Sequence, residues 1–174
     1  MTNDTNRRIL IVDDQKSIHD DFRMILGARD DEVADGSLDE DEVFLFGEAP
    51  ASSVSATYQL DSAYQGEEAV DCVRQAAAEQ RPYAVAFVDV RMPPGIDGVE
   101  TIERMWQIDA RIQVVICTAF SDYSWDEIQQ RLGDSERLLI LKKPFEDIEV
   151  RQMASSLTKL WTTREILEMT CSRR

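Results

Sequence analysis

The chain has a single histidine, His19, so a Ser–His or Cys–His catalytic pairing is not easily built, and its position in a helical segment suggests a surface or capping role. Cysteine is scarce too. Cys72, Cys117 and Cys171 are odd in number and widely spaced, which fits neither a disulfide framework nor paired zinc ligands and agrees with a reducing compartment. No apolar stretch reaches membrane-spanning length, and the polar start from Met1 to Arg8 has no apolar run of the signal-peptide kind behind it. The expectation is a soluble cytoplasmic protein with no membrane partner. Lys and Arg number 19 against 34 Asp and Glu, and the resulting charge of −15 argues against a chain built to bind nucleic acid directly. Nine of the carboxylates lie between Asp30 and Glu48 with no Lys or Arg among them, which leaves −6 of the −15 for everything else. The acidity is concentrated in one segment.

What is present is an alternation of short apolar runs with helical patterns, in a chain whose 174 residues, 43% of them hydrophobic, suffice for one core of single-domain size. Arg8 to Val12 is a β-branched run that stops at Asp13 and Asp14, as a strand buried on both faces does at a functional edge. Ile18, Phe22, Ile25 and Leu26 then recur at helical spacing, with Ser17 available as the N-cap and Gly27 near the end. Tyr58 to Leu60 reads as a brief strand, and Gly66 to Gln80 as a helix burying Ala69, Val70, Val73 and Ala77. Ala84 to Val88 repeats the first strand's pattern and ends on Asp89. A helix from Gly98 to Gln107 carries Val99, Ile102, Met105 and Trp106, and the strand Val114 to Cys117 ends at Thr118. Ser124 and Glu127 form a capping box for a helix reaching Leu132 and Gly133. Leu138 to Leu141 is a fifth strand, closed by Lys142, Lys143 and Pro144. Five alternations specify an α/β fold, a doubly wound five-stranded parallel sheet with helices on both faces.

Asp13, Asp14, Asp89, Thr118 and Lys143 all fall at the C-terminal ends of buried strands and so share one sheet edge. In strand order 2-1-3-4-5 the order reverses between strands one and three, and ligands of open α/β sheets bind at such a reversal. Three converging carboxylates need a cation or a proton, and oxygen-only ligands with room for water and phosphate suit Mg²⁺. An aspartate beside such an ion is a competent nucleophile toward phosphorus. The metal, the Lys143 ammonium and the Thr118 hydroxyl are suitable partners for the transferring oxygens.

This ordered set, Asp13-Asp14, Asp89, Thr118 and Lys143-Pro144, resembles the receiver domain of two-component response regulators, over roughly Arg8 to Leu160. The resemblance implies the flavodoxin-like receiver fold, phosphorylation of Asp89 by a histidine kinase or phosphotransfer protein, and Mg²⁺ bound directly by Asp14 and Asp89. It also implies that Asp13 acts mainly through water, that the backbone carbonyl of Arg91 is a metal ligand, and that Thr118 and Lys143 engage the phosphoryl group. A cis Lys143–Pro144 bond and a homodimer through the fourth helix, fifth strand and fifth helix belong to the same expectation. Three departures stand out. Ile140 occupies the place of the family's aromatic switch residue, and the loop Met92 to Gly98 is one residue longer than is common. Arg91 and Phe120 are bulky at positions that influence water attack, which implies slow loss of the phosphoryl group.

The organisation read from the sequence is a receiver domain at 1–160 with an insertion at about 28–57, then a helix extension and tail at 161–174. Within the insertion Ser37 and Glu40 make a capping box, and Leu38, Val43, Phe44, Leu45 and Phe46 form an apolar cluster, so a short helix embedded in acid is expected. It either packs on the fold or docks a partner. The last helix starts near Glu146 and need not stop before Met169, with Val150, Met153, Leu157, Leu160 and Leu167 three, four or seven apart. Trp106, Trp125 and Trp161 read as core or interface residues. An Asp-Asp pair by itself is weak, because Asp14 is equally suited to cap the helix near Ser17; its conjunction with Asp89 and Lys143 outweighs that reading. A phosphatase with an aspartyl nucleophile typically needs a second acid two residues on, where Arg91 stands. A phosphorylation-independent receiver-like interaction module is the remaining alternative.

Overall fold

The computed structural model describes residues 5–27, 57–119, 124–133 and 136–171. Ten elements alternate along the chain: β1 (Arg8–Val12), α1 (Lys16–Leu26), β2 (Gln59–Ala63), α2 (Gly66–Ala78), β3 (Val85–Asp89), α3 (Gly98–Ile108), β4 (Gln113–Thr118), α4 (Trp125–Leu132), β5 (Leu138–Lys142) and α5 (Asp147–Cys171). The five strands pair in parallel in the order β2-β1-β3-β4-β5, as expected.

Strand parity builds the two cores. Successive residues of a strand point to opposite faces, so Leu10, Val12, Ala86, Val88, Val114 and Ile116 pack with Val70 and Val73 of α2, Val99, Ile102 and Met105 of α3, and Ile128 of α4. Their neighbours Ile9, Ile11, Val85, Phe87, Val115 and Cys117 pack on the other face with Phe22 and Leu26 of α1 and Val150, Ala154, Leu157 and Trp161 of α5. Phe22 lies against both Phe87 and Phe145, with ring centroids 4.8 and 5.4 Å away. Because β1, β3 and β4 are covered on both sides, their run of apolar residues is continuous rather than alternating.

Local signals set most helix ends. Asp97 caps α3 by accepting from Glu100 N–H at 2.8 Å, and the Ser124–Glu127 capping box opens α4, with Gly133 closing it at φ 75°. Several sequence expectations shift. The residue before α1 is Gln15, not Ser17, and it makes no side-chain cap. β2 runs three residues further, through Asp61, Ser62 and Ala63, than the Tyr58–Leu60 pattern suggested, because it continues to pair with β1 to Val12. In α2 the buried alanine is Ala76 and Ala77 faces out. Trp161 is buried, Trp106 half-buried with its Nε1–H donating to the Ile112 carbonyl at 3.0 Å, and Trp125 exposed. α5 is one continuous helix of 25 residues, anchored late in its course: Arg111 grips Asp109 with two N–H groups and reaches Glu165 at 3.0 Å while its guanidinium lies over the Trp161 ring. Beyond Trp161, Ile166, Leu167 and Met169 are exposed. The capping box and apolar cluster expected within the insertion lie outside the described residues, as does Phe120. No helix among the described residues is long and apolar enough to cross a membrane.

At the edge strand, Asp61 of β2 accepts from Arg8 Nη2 at 2.6 Å and from the Tyr83 hydroxyl at 2.7 Å, tying β2 to the entries of β1 and β3. Burial pushes the Asp61 carboxyl up, but these two hydrogen bonds and the charges of Arg8 and Arg81 outweigh it and hold the group below its ordinary value. A depressed carboxyl stabilises the fold above the unfolded pKa of about 3.9. That stabilisation is lost as pH falls through the lower folded value. Asp61→Asn is therefore expected to cost about 1 kcal/mol or less at pH 7, given the half-exposed site. The same change should flatten the acid limb of a melting-temperature profile recorded from neutral pH downward.

Candidate functional site

Five expected residues do meet at the C-terminal edge of the sheet. Asp13 and Asp14 follow β1, Asp89 ends β3, Thr118 ends β4 and Lys143 follows β5. Asp13, Asp89 and Thr118 are buried, Lys143 is half-buried and Asp14 is exposed. Carboxylate oxygens of Asp13, Asp14 and Asp89 lie within 4.8 Å of one another. The Lys143 ammonium donates to Asp13 Oδ2 at 2.6 Å and to Asp89 Oδ1 at 2.9 Å, and so sits between the two buried acids.

Backbone register explains how they converge. Asp89 pairs opposite Cys117 and Val90 N–H donates to the Cys117 carbonyl, so β3 and β4 end together. Lys143 N–H donates to the Thr118 carbonyl at 2.9 Å, which brings the β5 corner to the same level. The Lys143–Pro144 bond is cis, as the resemblance implied, and Pro93–Pro94 is cis as well. The Thr118 hydroxyl turns to the Ala119 carbonyl at 2.9 Å. Arg91, exposed, follows β3, with Met92 buried beside it. Asp14 does not act as a cap: it is the Asp13 carboxylate that accepts from Gln15 N–H, at 2.9 Å, on the approach to α1.

Among the described contacts, three carboxylates and one ammonium leave two negative charges over. Each pair of carboxylates at that separation repels by about 3.5 kcal/mol at an effective dielectric near 20. Burial pushes the Asp89 carboxyl above its ordinary value, and Asp13 and Asp14 add to that against the pull of Lys143. Burial works the other way on Lys143, but its hydrogen bonds to Asp13 and Asp89 more than compensate and raise it. A site in which the acid is pushed up and the base is also pushed up is short of positive charge. A divalent cation with a preference for oxygen supplies the missing charge, and the donor set of carboxylates with an exposed Asp14 at the rim fits Mg²⁺.

Several residues around the site escaped the sequence reading. His19 is buried, not at the surface: its Nε2 lies 2.7 Å from the Asp13 carbonyl and its Nδ1 3.0 Å from Ser62 Oγ. The missed signal is helical phase, since His19 stands three and seven residues before Phe22 and Leu26 on the inward face of α1. Gln65 clamps the loop after Asp89, donating to the Pro93 carbonyl at 3.3 Å and accepting from Gly95 N–H at 3.2 Å, while Glu67 accepts from Ile96 N–H. Gly98 is required at close quarters, because a Cβ there would run into the Asp89 carbonyl.

Comparison with known proteins gives a consistent picture. Residues 37–155 match the family model for the response regulator receiver domain. The chain is 32% identical over 146 residues to sporulation initiation phosphotransferase F of Bacillus subtilis (strain 168), across 84% of this chain and 89% of that protein. Among solved structures it is similar to the adenylate cyclase from Rhodopirellula baltica, with a TM-score of 0.69 and 20% identity over 97% of this chain and 99% of that one. It is also similar to the signal receiver domain of an HD domain-containing protein from Pseudomonas fluorescens Pf-5, with a TM-score of 0.65 and 16% identity over 95% and 96% of the two chains. At these identities the two structures establish a shared fold.

The charge surplus predicts a metal-dependent stability. Mg²⁺ is expected to raise the melting temperature of the wild-type protein, by linkage of binding to folding. Asp14→Asn, which removes one repelling charge from the exposed rim, is expected to melt at or above the metal-free wild type and to gain less from the ion. Thermal scans with and without Mg²⁺ check both expectations.

Proposed function

The chain belongs to the response regulator receiver domain family, and on that footing we propose that it is a phosphoacceptor switch of a two-component phosphorelay, modified on Asp89. The observation that carries the proposal is the placement of the Lys143 ammonium between Asp13 and Asp89, with three carboxylates within 4.8 Å. Asp14, Asp89 and the backbone carbonyl of Arg91 would bind Mg²⁺ directly, and Asp13 would act mainly through water. When bound, the ion neutralises charge on the transferring oxygens.

The protein's own residues divide the remaining work. An Asp89 oxygen attacks the phosphorus of a phosphohistidine, protonated on its other ring nitrogen, on a histidine kinase or phosphotransfer protein; the P–N bond breaks, its electron pair stays on the imidazole, which departs neutral, and an acyl phosphate remains. Lys143, already within hydrogen-bond reach of Asp89, follows the new negative charge onto the phosphoryl oxygens. The Thr118 hydroxyl exchanges its bond to the Ala119 carbonyl for a phosphoryl oxygen, a rotation about one side-chain torsion. Both displacements pull on the Thr118–Lys143 backbone pair and so on β4, α4 and β5. Ile140 is half-buried where the family carries an aromatic reporter, so the change would be read out through α4 and β5 themselves. Trp125 and Leu139, exposed on those elements, support that surface as the place where a second copy or an output partner docks. A cytoplasmic location and a slow loss of the phosphoryl group complete the proposal.

A small-molecule phosphodonor with Mg²⁺ tests it by intact-protein mass spectrometry. One phosphoryl group is expected to add to the wild type and to be absent in Asp89→Asn. Lys143→Ala is expected to retain some modification and to lose the accompanying change in Trp125 fluorescence. An unmodified wild type overturns the proposal in favour of a phosphorylation-independent module, and steady turnover of added phosphoesters overturns it in favour of a phosphatase.

A further inference from the structure

We propose that His19 is a positioning residue for the cation site, acting through the peptide bond that joins Asp13 to Asp14; the inference rests on reading those two residues as the acids that hold the ion. The geometry of the ring leaves little choice of tautomer. The Asp13 carbonyl has no proton to give, so the 2.7 Å contact from Nε2 requires a hydrogen on Nε2. On the other side Arg23 donates from Nη2 to Ser62 Oγ at 2.9 Å, and Arg23 is itself held by Asp20 at 3.0 Å. The serine hydrogen is then directed to Nδ1 of His19, 3.0 Å away. Donors therefore point one way along the chain, from Arg23 through Ser62 and His19 to the Asp13 carbonyl. The Tyr64 ring lies tilted against the imidazole with centroids 4.4 Å apart, and His19 is buried.

What this chain holds is a rigid plate. The carbonyl of Asp13 and the N–H of Asp14 belong to one planar peptide unit, so a single bond to that carbonyl orients both acidic residues. Asp13 is already tied at its other end, where its N–H donates to the Ala63 carbonyl at 3.1 Å. Its carboxylate is fixed by Gln15 N–H and Lys143. The His19 contact restrains rotation of the plate that carries Asp14. The buried imidazole is thereby placed behind the carboxylates, where outer groups tune a metal site without touching the ion.

Isothermal titration of the full chain with Mg²⁺ tests the role, using His19→Leu, His19→Gln and Ser62→Ala beside the wild type. A leucine fills the space without a donor, and Mg²⁺ affinity is expected to fall about tenfold. A glutamine amide can reach the place of Nε2 and is expected to stay within about threefold of wild type, with Ser62→Ala between the two. At saturating Mg²⁺ the rate of Asp89 phosphorylation should return to wild type in every variant, because the defect lies in holding the ion. A folded leucine variant with wild-type affinity overturns the inference, as does a glutamine variant no better than leucine. If His19→Leu fails to fold, imidazole nitrogen shifts in the wild type decide: a proton on Nε2 and none on Nδ1 supports the role, and the opposite tautomer overturns it. A wild type that takes up no Mg²⁺ overturns the phosphoacceptor reading first, and the inference falls with it.

Discussion

Mutual repulsion among Asp13, Asp14 and Asp89 is the constraint that the rest of the structure answers. No fold gathers three carboxylates at one point without compensation, and among the described contacts that compensation is the Lys143 ammonium. Lys143 can reach two of the acids only because β5 ends level with β4, and β4 level with β3, in a parallel sheet whose loops all open on the same side. The charge left uncovered is what makes the site receptive to a divalent cation. Burial raises the Asp89 carboxyl, and the neighbouring Asp13 and Asp14 add to that, so the ionised group depends on added positive charge.

The sheet was legible because its central strands carry an unambiguous message. Runs such as Ile9 to Val12 and Val85 to Val88 are too short for helices, too apolar for an exposed edge, and each stops on an aspartate. The Ser124–Glu127 box was readable because it is a local bond between residues three apart; the Asp97 cap is equally local but was not read from the sequence. What escaped depends on contacts distant in sequence. His19 looks polar in isolation, and only its partners Ser62, 43 residues away, and the Asp13 carbonyl make burial acceptable. The grip of Gln65 on Pro93 and Gly95 spans 28 and 30 residues and has no local signature. β2 was drawn too short because Asp61 and Ser62 are polar; they remain in the strand because it is an edge, where their backbone pairs with β1 while their side chains find Arg8, Tyr83 and His19.

The surroundings of Asp89 are held by unlike devices on its different sides. Behind it, Gly98 allows the start of α3 to press on the Asp89 carbonyl. To one side, Gln65 and Glu67 hold the loop that carries the Pro93–Pro94 pair. To another, Arg131 of α4 reaches both Asp97, the cap of α3, and Glu103 six residues further on. α4 is thus bonded to the helix that begins at the end of the loop after Asp89. Its own apolar anchorage is slight, with Ile128 its one fully buried side chain among the described residues. A helix held mainly by exposed ion pairs is the cheapest element of the fold to move.

α5 begins just past the corner that carries Lys143, and it is gripped far along its length where Trp161 is buried and Arg111 spans Asp109 and Glu165. At 1.5 Å per residue the fulcrum lies about 21 Å from the first turn and about 15 Å from Cys171. A stiff rod held there works as a seesaw. Any sideways push on its near end would reappear at Leu167 and Met169 in the opposite direction and roughly half as large. The protruding turn would then serve as the pointer of a gauge whose input is the corner beside Lys143.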